Sequence, residues 1–135
     1  MPKNEHFDRL YELLEKVLDG HESPSKTEDI PKVSDQLAAY ILWLDVDPLI
    51  PERTYSILLD TQSTTVQVTD LSFKIDAKTH SQLAAKKLFQ NEYGYCKLSL
   101  GQKVSFDAYS ESQIKGSFEI FDSLNNSIVG IGLID

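Results

Sequence analysis

Three histidines, a single cysteine and two close carboxylate pairs are the side chains in this 135-residue chain with chemistry to offer. Zinc needs several converging ligands, but His6, His21 and His80 are scattered and no His-x-x-x-His or His-x-x-Glu-His spacing occurs. They read as solvent-exposed histidines, and no metal site is expected. A nucleophilic thiol needs its pKa depressed by a nearby base or a helix N-terminus. Cys96 instead alternates with lysine and shares a strand face with Leu98 and Leu100, which is the setting of a small packed hydrophobe. The pairs Asp45/Asp47 and Glu28/Asp29 have the proximity of acid-base dyads or divalent-ion ligands, yet they lie beside prolines in turn or linker sequence, where solvated carboxylates are ordinary. A Gly-x-x-x-x-Gly-Lys-Ser/Thr phosphate loop is not found in these residues. The expectation is therefore no catalytic residue and no cofactor.

The elements that would position any site are short strands. From Gly94 the side chains alternate, with Tyr95, Lys97 and Ser99 on one face and Cys96, Leu98 and Leu100 on the other. Gly116 opens a run in which Phe118, Ile120 and Phe121 are apolar, and Asp122 to Asn126 breaks it with turn residues. Ile128 to Ile134 resumes as an apolar run; Gly130 and Gly132 inside it predict a sharp bend or the close approach of another backbone. Earlier, Leu37 to Leu44 reads as a strand buried on both faces or entering a barrel, Asp45 to Pro51 as a turn, Tyr55 to Leu59 as a second strand and Thr61 to Ser63 as a turn. Thr65 to Ile75 is a third strand whose apolar phase slips between Val68 and Leu71, which predicts a bulge near Thr69 and Asp70. Residues Asp76 to Gln90 fit a short helix or an ordered loop across a barrel opening.

Ahead of the strands, Glu5 to Asp19 carries Phe7, Leu10, Tyr11, Leu14, Val17 and Leu18 at three-and-four spacing, with Asp8, Arg9, Glu12, Glu15 and Lys16 off that face. Asn4 can cap this helix and Gly20 can stop it. A lone helix of this length is marginal in water, so its apolar face must be buried against something. The domain organisation read from the sequence is thus a helix over 1–19, a polar linker over 20–35 broken by Pro24 and Pro31, and a strand domain over 36–135.

Composition narrows the function. A net charge of -8 repels polyanions and the lysines are scattered, which argues against a nucleic-acid partner. One cysteine permits no intrachain disulfide. No apolar run approaches membrane-spanning length and the N-terminus lacks the apolar core of a secretion signal, so a cytoplasmic setting and no membrane partner are expected.

The order of parts after Asn91 matters more than any one of them. Asn-x-x-Gly before a strand, Phe-Asp-x-Tyr, Gly-Ser-Phe-x-x-x-Asp, then Asn followed by Val-Gly-x-Gly and two aliphatics closely resembles the end of the third domain of translation-factor GTPases. The nearest likeness is to the GTPase subunit of bacterial sulfate adenylyltransferase, itself similar to elongation factor Tu. The matching residues are Asn91, Gly94, Asp107, Tyr109, Gly116, Phe118, Asp122, Asn126, Val129, Gly130 and Gly132. Ser123 departs from the usual arginine after the aspartate, and Ile131 replaces a small residue between the last glycines. The matched Asp107 and Tyr109 imply a structural corner.

This resemblance, extended in pattern back to about Asp35, implies an all-β fold: a six-stranded antiparallel Greek-key barrel of the elongation-factor domain 3 type with an added N-terminal helix. It also implies a non-catalytic protein-interaction or regulatory module with a protein partner. Phe7, Leu10, Tyr11, Leu14 and Leu18 are the candidate docking face, unless the helix covers its own barrel. Two alternatives are a ligand-binding or enzymatic barrel with a site near Tyr93, Tyr95 and residues 76–90, and a detached piece of a sulfate-activating GTPase assembly acting in trans.

Overall fold

The computed structural model describes residues 8–10, 12–13, 32–51, 53–107 and 116–135. Its strands are β1 (Lys32–Trp43), β2 (Thr54–Leu59), β3 (Gln62–Ile75), β4 (Gln82–Leu83), β5 (Tyr93–Phe106), β6 (Ser117–Phe121) and β7 (Ile128–Ile134). Neighbours run β2-β6-β7-β1-β5-β3, and the β2–β3 pairing closes the ring, so six strands form an antiparallel barrel while β4 only extends the end of β3. Strands β2, β3 and β5 follow one another, and β1 lies beside β5; this is a Greek-key order. Closure satisfies the backbone hydrogen-bonding groups that an open sheet would leave at its edges.

Alternation builds the core. Leu37, Ala39, Ile41 and Trp43 of β1 point inward, as do Val66, Val68 and Leu71 of β3 and Cys96, Leu98 and Leu100 of β5. The bulge expected near Thr69 is present: Val68 pairs with Leu98 and Asp70 with Lys97, which leaves Thr69 over and lets Leu71 return to the interior. The β2–β3 hairpin turns on Asp60 and Thr61, slightly earlier than the sequence indicates, with Asp60 at φ 58 and Leu59 paired to Gln62. A two-residue loop with a left-handed residue matches the twist of the flanking strands.

One sequence reading is corrected in detail, and one pair of alternatives is decided. Strand β1 begins at Lys32, inside the tract read as linker, because Lys32, Val33 and Ser34 pair with Phe106, Ser105 and Val104 of the long β5. Backbone pairing there needs little apolar content, and Val33 is 62% exposed. Between Asp76 and Gln90 the chain is an ordered crossing rather than a helix: Gln82–Leu83 pairs with β3, and Leu49 bridges Leu88. Leu88 is fully buried while Leu83 and Phe89 stay exposed.

The glycines of the last strand are explained by side chains more than by backbone. A Cβ on Gly132 would lie 2.2 Å from Phe118 Cζ, and one on Gly130 would lie 3.0 Å from Trp43 Cε3. Gly94 is held similarly by Leu88, 2.9 Å from where its Cβ would be. The matched asparagines Asn91 and Asn126 take φ values of 69 and 61, a region that asparagine tolerates better than most residues. Asp122 organises the β6–β7 turn through Oδ1, which accepts the Leu124 N–H at 2.7 Å. Its other oxygen meets Arg53 at 3.5 Å, so a cation from the approach to β2 stands by this aspartate although Ser123 beside it carries none. Arg53 is half exposed, which limits that pair to about 1 kcal/mol or less. Gly116 contributes its carbonyl to the Ile134 N–H at 2.7 Å. Asp107, just after β5, is half-buried, and Tyr109 lies outside the described residues.

Candidate functional site: an apolar face outside the barrel

From Leu37 to Trp43, β1 is apolar on both sides, and its second side faces out of the barrel. There, Tyr40 is flanked by Leu133 of β7 and Tyr95 of β5, and Tyr95 in turn by Phe73 of β3. One step along, Leu42 is flanked by Ile131 and Tyr93, and Tyr93 by Ile75. The registers thus lay two parallel rows of apolar side chains across four adjacent strands on the exterior. Tyr40 and Tyr95 are tilted rings 4.8 Å apart, and Tyr95 stacks on Phe73 at 5.4 Å. Burial pushes the Tyr95 hydroxyl well above its usual pKa, reinforced by the hydrogen bond it donates to Asp135 Oδ2 at 2.9 Å.

Part of this face is covered from the N-terminus. Leu10 is fully buried and Leu13 is 6% exposed, both in one cluster with Tyr40, Leu42, Ile75, Tyr93, Ile131 and Leu133. Helical residues Asp8, Arg9 and Glu12 face solvent. Each buried leucine contributes about 1.5–3 kcal/mol before ordering entropy is subtracted. Leu44, Phe73 and Tyr95 complete the cluster but remain partly exposed.

Of the five candidate docking residues, Leu10 is described and lies on the barrel; Phe7, Tyr11, Leu14 and Leu18 lie outside the described residues. Leu13 was missed. It lies three residues after Leu10, and a wider apolar stripe of the kind that globular helices usually bury would have included it.

The other chemical candidates are placed as follows. Asp45 Oδ1 accepts the Val46 N–H at 2.9 Å, and Asp47 offers its backbone carbonyl to Trp43 Nε1 at 2.7 Å; they form a turn. His80 has φ 64 in a tight turn where Asp76 accepts the N–H groups of Lys78 and Thr79, and these bonds hold the Asp76 carboxyl below its usual pKa. His6, His21, Glu28 and Asp29 lie outside the described residues. Among the described residues, no three His, Cys, Asp or Glu side chains gather to hold a metal. An open cleft of about 360 Å³ beside Tyr93, lined also by Asp76, Lys78, Asn91 and Glu92, lies at the alternative ligand site. Lys74 at its wall is paired with Glu92 at 3.1 Å, so this cation is already neutralised.

Cys96 is fully buried, and burial first and Asp70 second push its thiol up to about 12. The unfolded thiol ionises at about 8.5. Above that pH the unfolded chain binds fewer protons than the folded one, so stability falls as pH rises toward 12 and keeps the full contribution below about 8.5. At pH 8 the native thiol is expected to resist a maleimide that labels the denatured chain within minutes. Rapid labelling of the native chain would show an accessible thiolate.

A closed Greek-key barrel of six antiparallel strands, with left-handed asparagines at two turns and glycines packed under Trp43 and Phe118, defines a β-barrel domain of the translation-factor kind. The GTP-eEF1A C-terminal domain-like family model matches residues 36–135, and the chain belongs to that family. It is 39% identical over 109 residues to a bifunctional enzyme CysN/CysC of Xylella fastidiosa, covering 81% of this chain and 18% of that protein. It is 38% identical over 104 residues to a sulfate adenylyltransferase subunit 1 of Aeromonas salmonicida, covering 77% of this chain and 22% of the relative. The fold is also that of the structure of sup35 complexed with GDP, at a TM-score of 0.70 and 18% identity, over 81% of this chain and 27% of that one. The chain thus spans about a fifth of the length of the curated relatives it matches. Among the described residues, no helix is long and apolar enough to cross a membrane.

Proposed function

We propose that this chain is a non-catalytic protein-contact module of the cytoplasm that binds a protein partner through the outer face of β7, β1, β5 and β3. The carrying observation is the pair of apolar rows, Leu133-Tyr40-Tyr95-Phe73 and Ile131-Leu42-Tyr93-Ile75, on the exterior of a barrel that already has a complete interior. Leu10 and Leu13 cover the middle of this surface, and its continuation to the partly exposed Phe73, Tyr95 and Leu44 is the apolar remainder that a contact domain offers a partner. Ile131, where the chain departs from the family's small residue, falls on this face and is fully buried. The chain's 38% identity to a sulfate adenylyltransferase subunit 1 supports a partner from sulfate activation, including the GTPase portion of such an assembly supplied in trans.

Titration of the chain with GTP and magnesium is expected to give no binding heat and no rise in unfolding temperature. Micromolar binding, or hydrolysis above background, would overturn the non-catalytic reading.

A further inference from the structure

The exposed apolar side chains gather at one mouth of the barrel. Strands β1, β3 and β6 end there and β2, β5 and β7 begin there, so the chain crosses it through residues 44–53, 76–92 and 122–127. Val46, Ile50, Leu83, Phe89 and Leu124 lie on these crossings and Ile128 at the strand end beside them, with Val46 73% and Leu124 89% exposed. Among the described residues, the only other exposed large apolar side chains are Val33 and Leu58. This mouth is distinct from the outer face, whose cluster includes none of these residues.

Charge is ordered on the mouth as well. Residues 44–50 and 86–91 lie antiparallel, since Leu49 bridges Leu88 and Gln90 Nε2 donates to the Leu44 carbonyl at 3.1 Å. Asp45 and Asp47 therefore stand toward one end of this pair and Lys86 and Lys87 toward the other, with the Leu49–Leu88 bridge between them and Val46, Ile50 and Phe89 exposed along it. Other charges of the mouth are matched within the chain: Arg53 meets Asp122, Lys74 meets Glu92, and Asp76 accepts the N–H groups of Lys78 and Thr79. The Lys78 side chain and His80 lie on the same crossing as the two lysines.

We propose that this mouth is a two-fold contact with a second copy of the chain, in which Asp45 and Asp47 of each copy face Lys86 and Lys87 of the other across the apolar residues. A two-fold sets residue i against j and j against i. A surface pairs with itself in this way only if it carries both halves of the match, and an acidic end and a basic end about an apolar middle do so. The chain's net charge of -8 makes two copies repel at long range, and the opposed ends offset that repulsion where the copies meet. The contact goes beyond the protein-contact reading above and leaves the outer face open to its partner.

Sedimentation equilibrium of the full chain and its charge-reversed forms tests this. The wild type is expected to double in mass as concentration rises. The Asp45→Lys/Asp47→Lys chain and the Lys86→Glu/Lys87→Glu chain should each self-associate more than about tenfold more weakly, because like charges then face one another. Mixed in equal amounts, these two chains should pair with each other as the wild type pairs with itself, and a chain with all four reversals should regain self-association. Asp45 also caps its turn through the Val46 N–H, so Asp47→Lys alone replaces the double change if that chain does not fold. Ile50→Asp/Phe89→Asp, altered at exposed positions, should be monomeric and still unfold cooperatively. A wild type that stays monomeric throughout, reversed chains as dimeric as the wild type, or a mixture that does not pair would overturn the proposal. A dimer lost in a Phe73→Asp/Tyr95→Asp chain would also overturn it, by moving the contact between copies to the outer face.

Discussion

Gly132→Ala is expected to destabilise the chain by about 3 kcal/mol, at the upper end for overpacking a core, which lowers the unfolding temperature by more than about 10 °C for a domain of this size. The added methyl would sit 2.2 Å from Phe118 Cζ and 2.5 Å from its Cε1, and neither ring nor strand has room to yield. Phe118 is 2% exposed and faces Gly132 directly across the β6–β7 ladder. Phe118→Ala alone should cost about 3–5 kcal/mol through the cavity it leaves. Combining Gly132→Ala with Phe118→Leu should cost less than the sum of the two single changes, because the smaller side chain vacates the space that the new methyl fills. Thermal and denaturant unfolding of the four proteins of this cycle measure that coupling. Strict additivity would show that the two positions do not share one packing site.

The second large effect separates the two sides of β1. Ile41 and Leu42 are adjacent and both fully buried, but Ile41 belongs to the barrel interior and Leu42 to the covered outer face. Ile41→Asp places a carboxylate in the closed core with no water within reach, a change that exceeds about 4 kcal/mol and consumes most of the stability of an ordinary domain. That variant is expected to be unfolded at 25 °C. Leu42→Asp meets water as soon as the N-terminal segment lifts, so its loss is confined to the contact that Leu10 and Leu13 provide. This variant should keep cooperative unfolding and buried Trp43 emission while binding an apolar dye that the wild type does not. Two equally unfolded variants would make the N-terminal segment an integral part of the core.

The distinction between these sides was partly legible in the sequence. Leu37 to Leu44 is apolar without alternation, which fits a strand buried on both faces or entering a barrel, and the structure shows what covers each face. The bulge at Thr69 was legible because Val68 and Leu71 are out of phase, and the Cys96 face because its alternation is strict. The start of β1 was not, since Lys32 to Ser34 are held by backbone pairing with β5 and carry no apolar pattern. Residues 76–90 left a helix and an ordered loop open because Leu83, Ala84, Leu88 and Phe89 recur at helical intervals, and the structure takes the ordered loop, in which Leu88 is the one fully buried among them. The reason for Gly132 lies in Phe118, a long-range contact that no local pattern encodes. The outer rows required the registers of four strands, which set residues as far apart as Phe73 and Leu133 on one surface.

The most direct test of the contact role is capture from native extract by the intact chain and by a Phe73→Asp/Tyr95→Asp variant, both altered at partly exposed positions of the face. The account predicts a protein retained by the wild type, cross-linked to Lys97 on β5, and lost from a variant that still unfolds cooperatively. The same protein retained equally by both chains, or cross-links confined to the opposite side at β2 and β6, would contradict it.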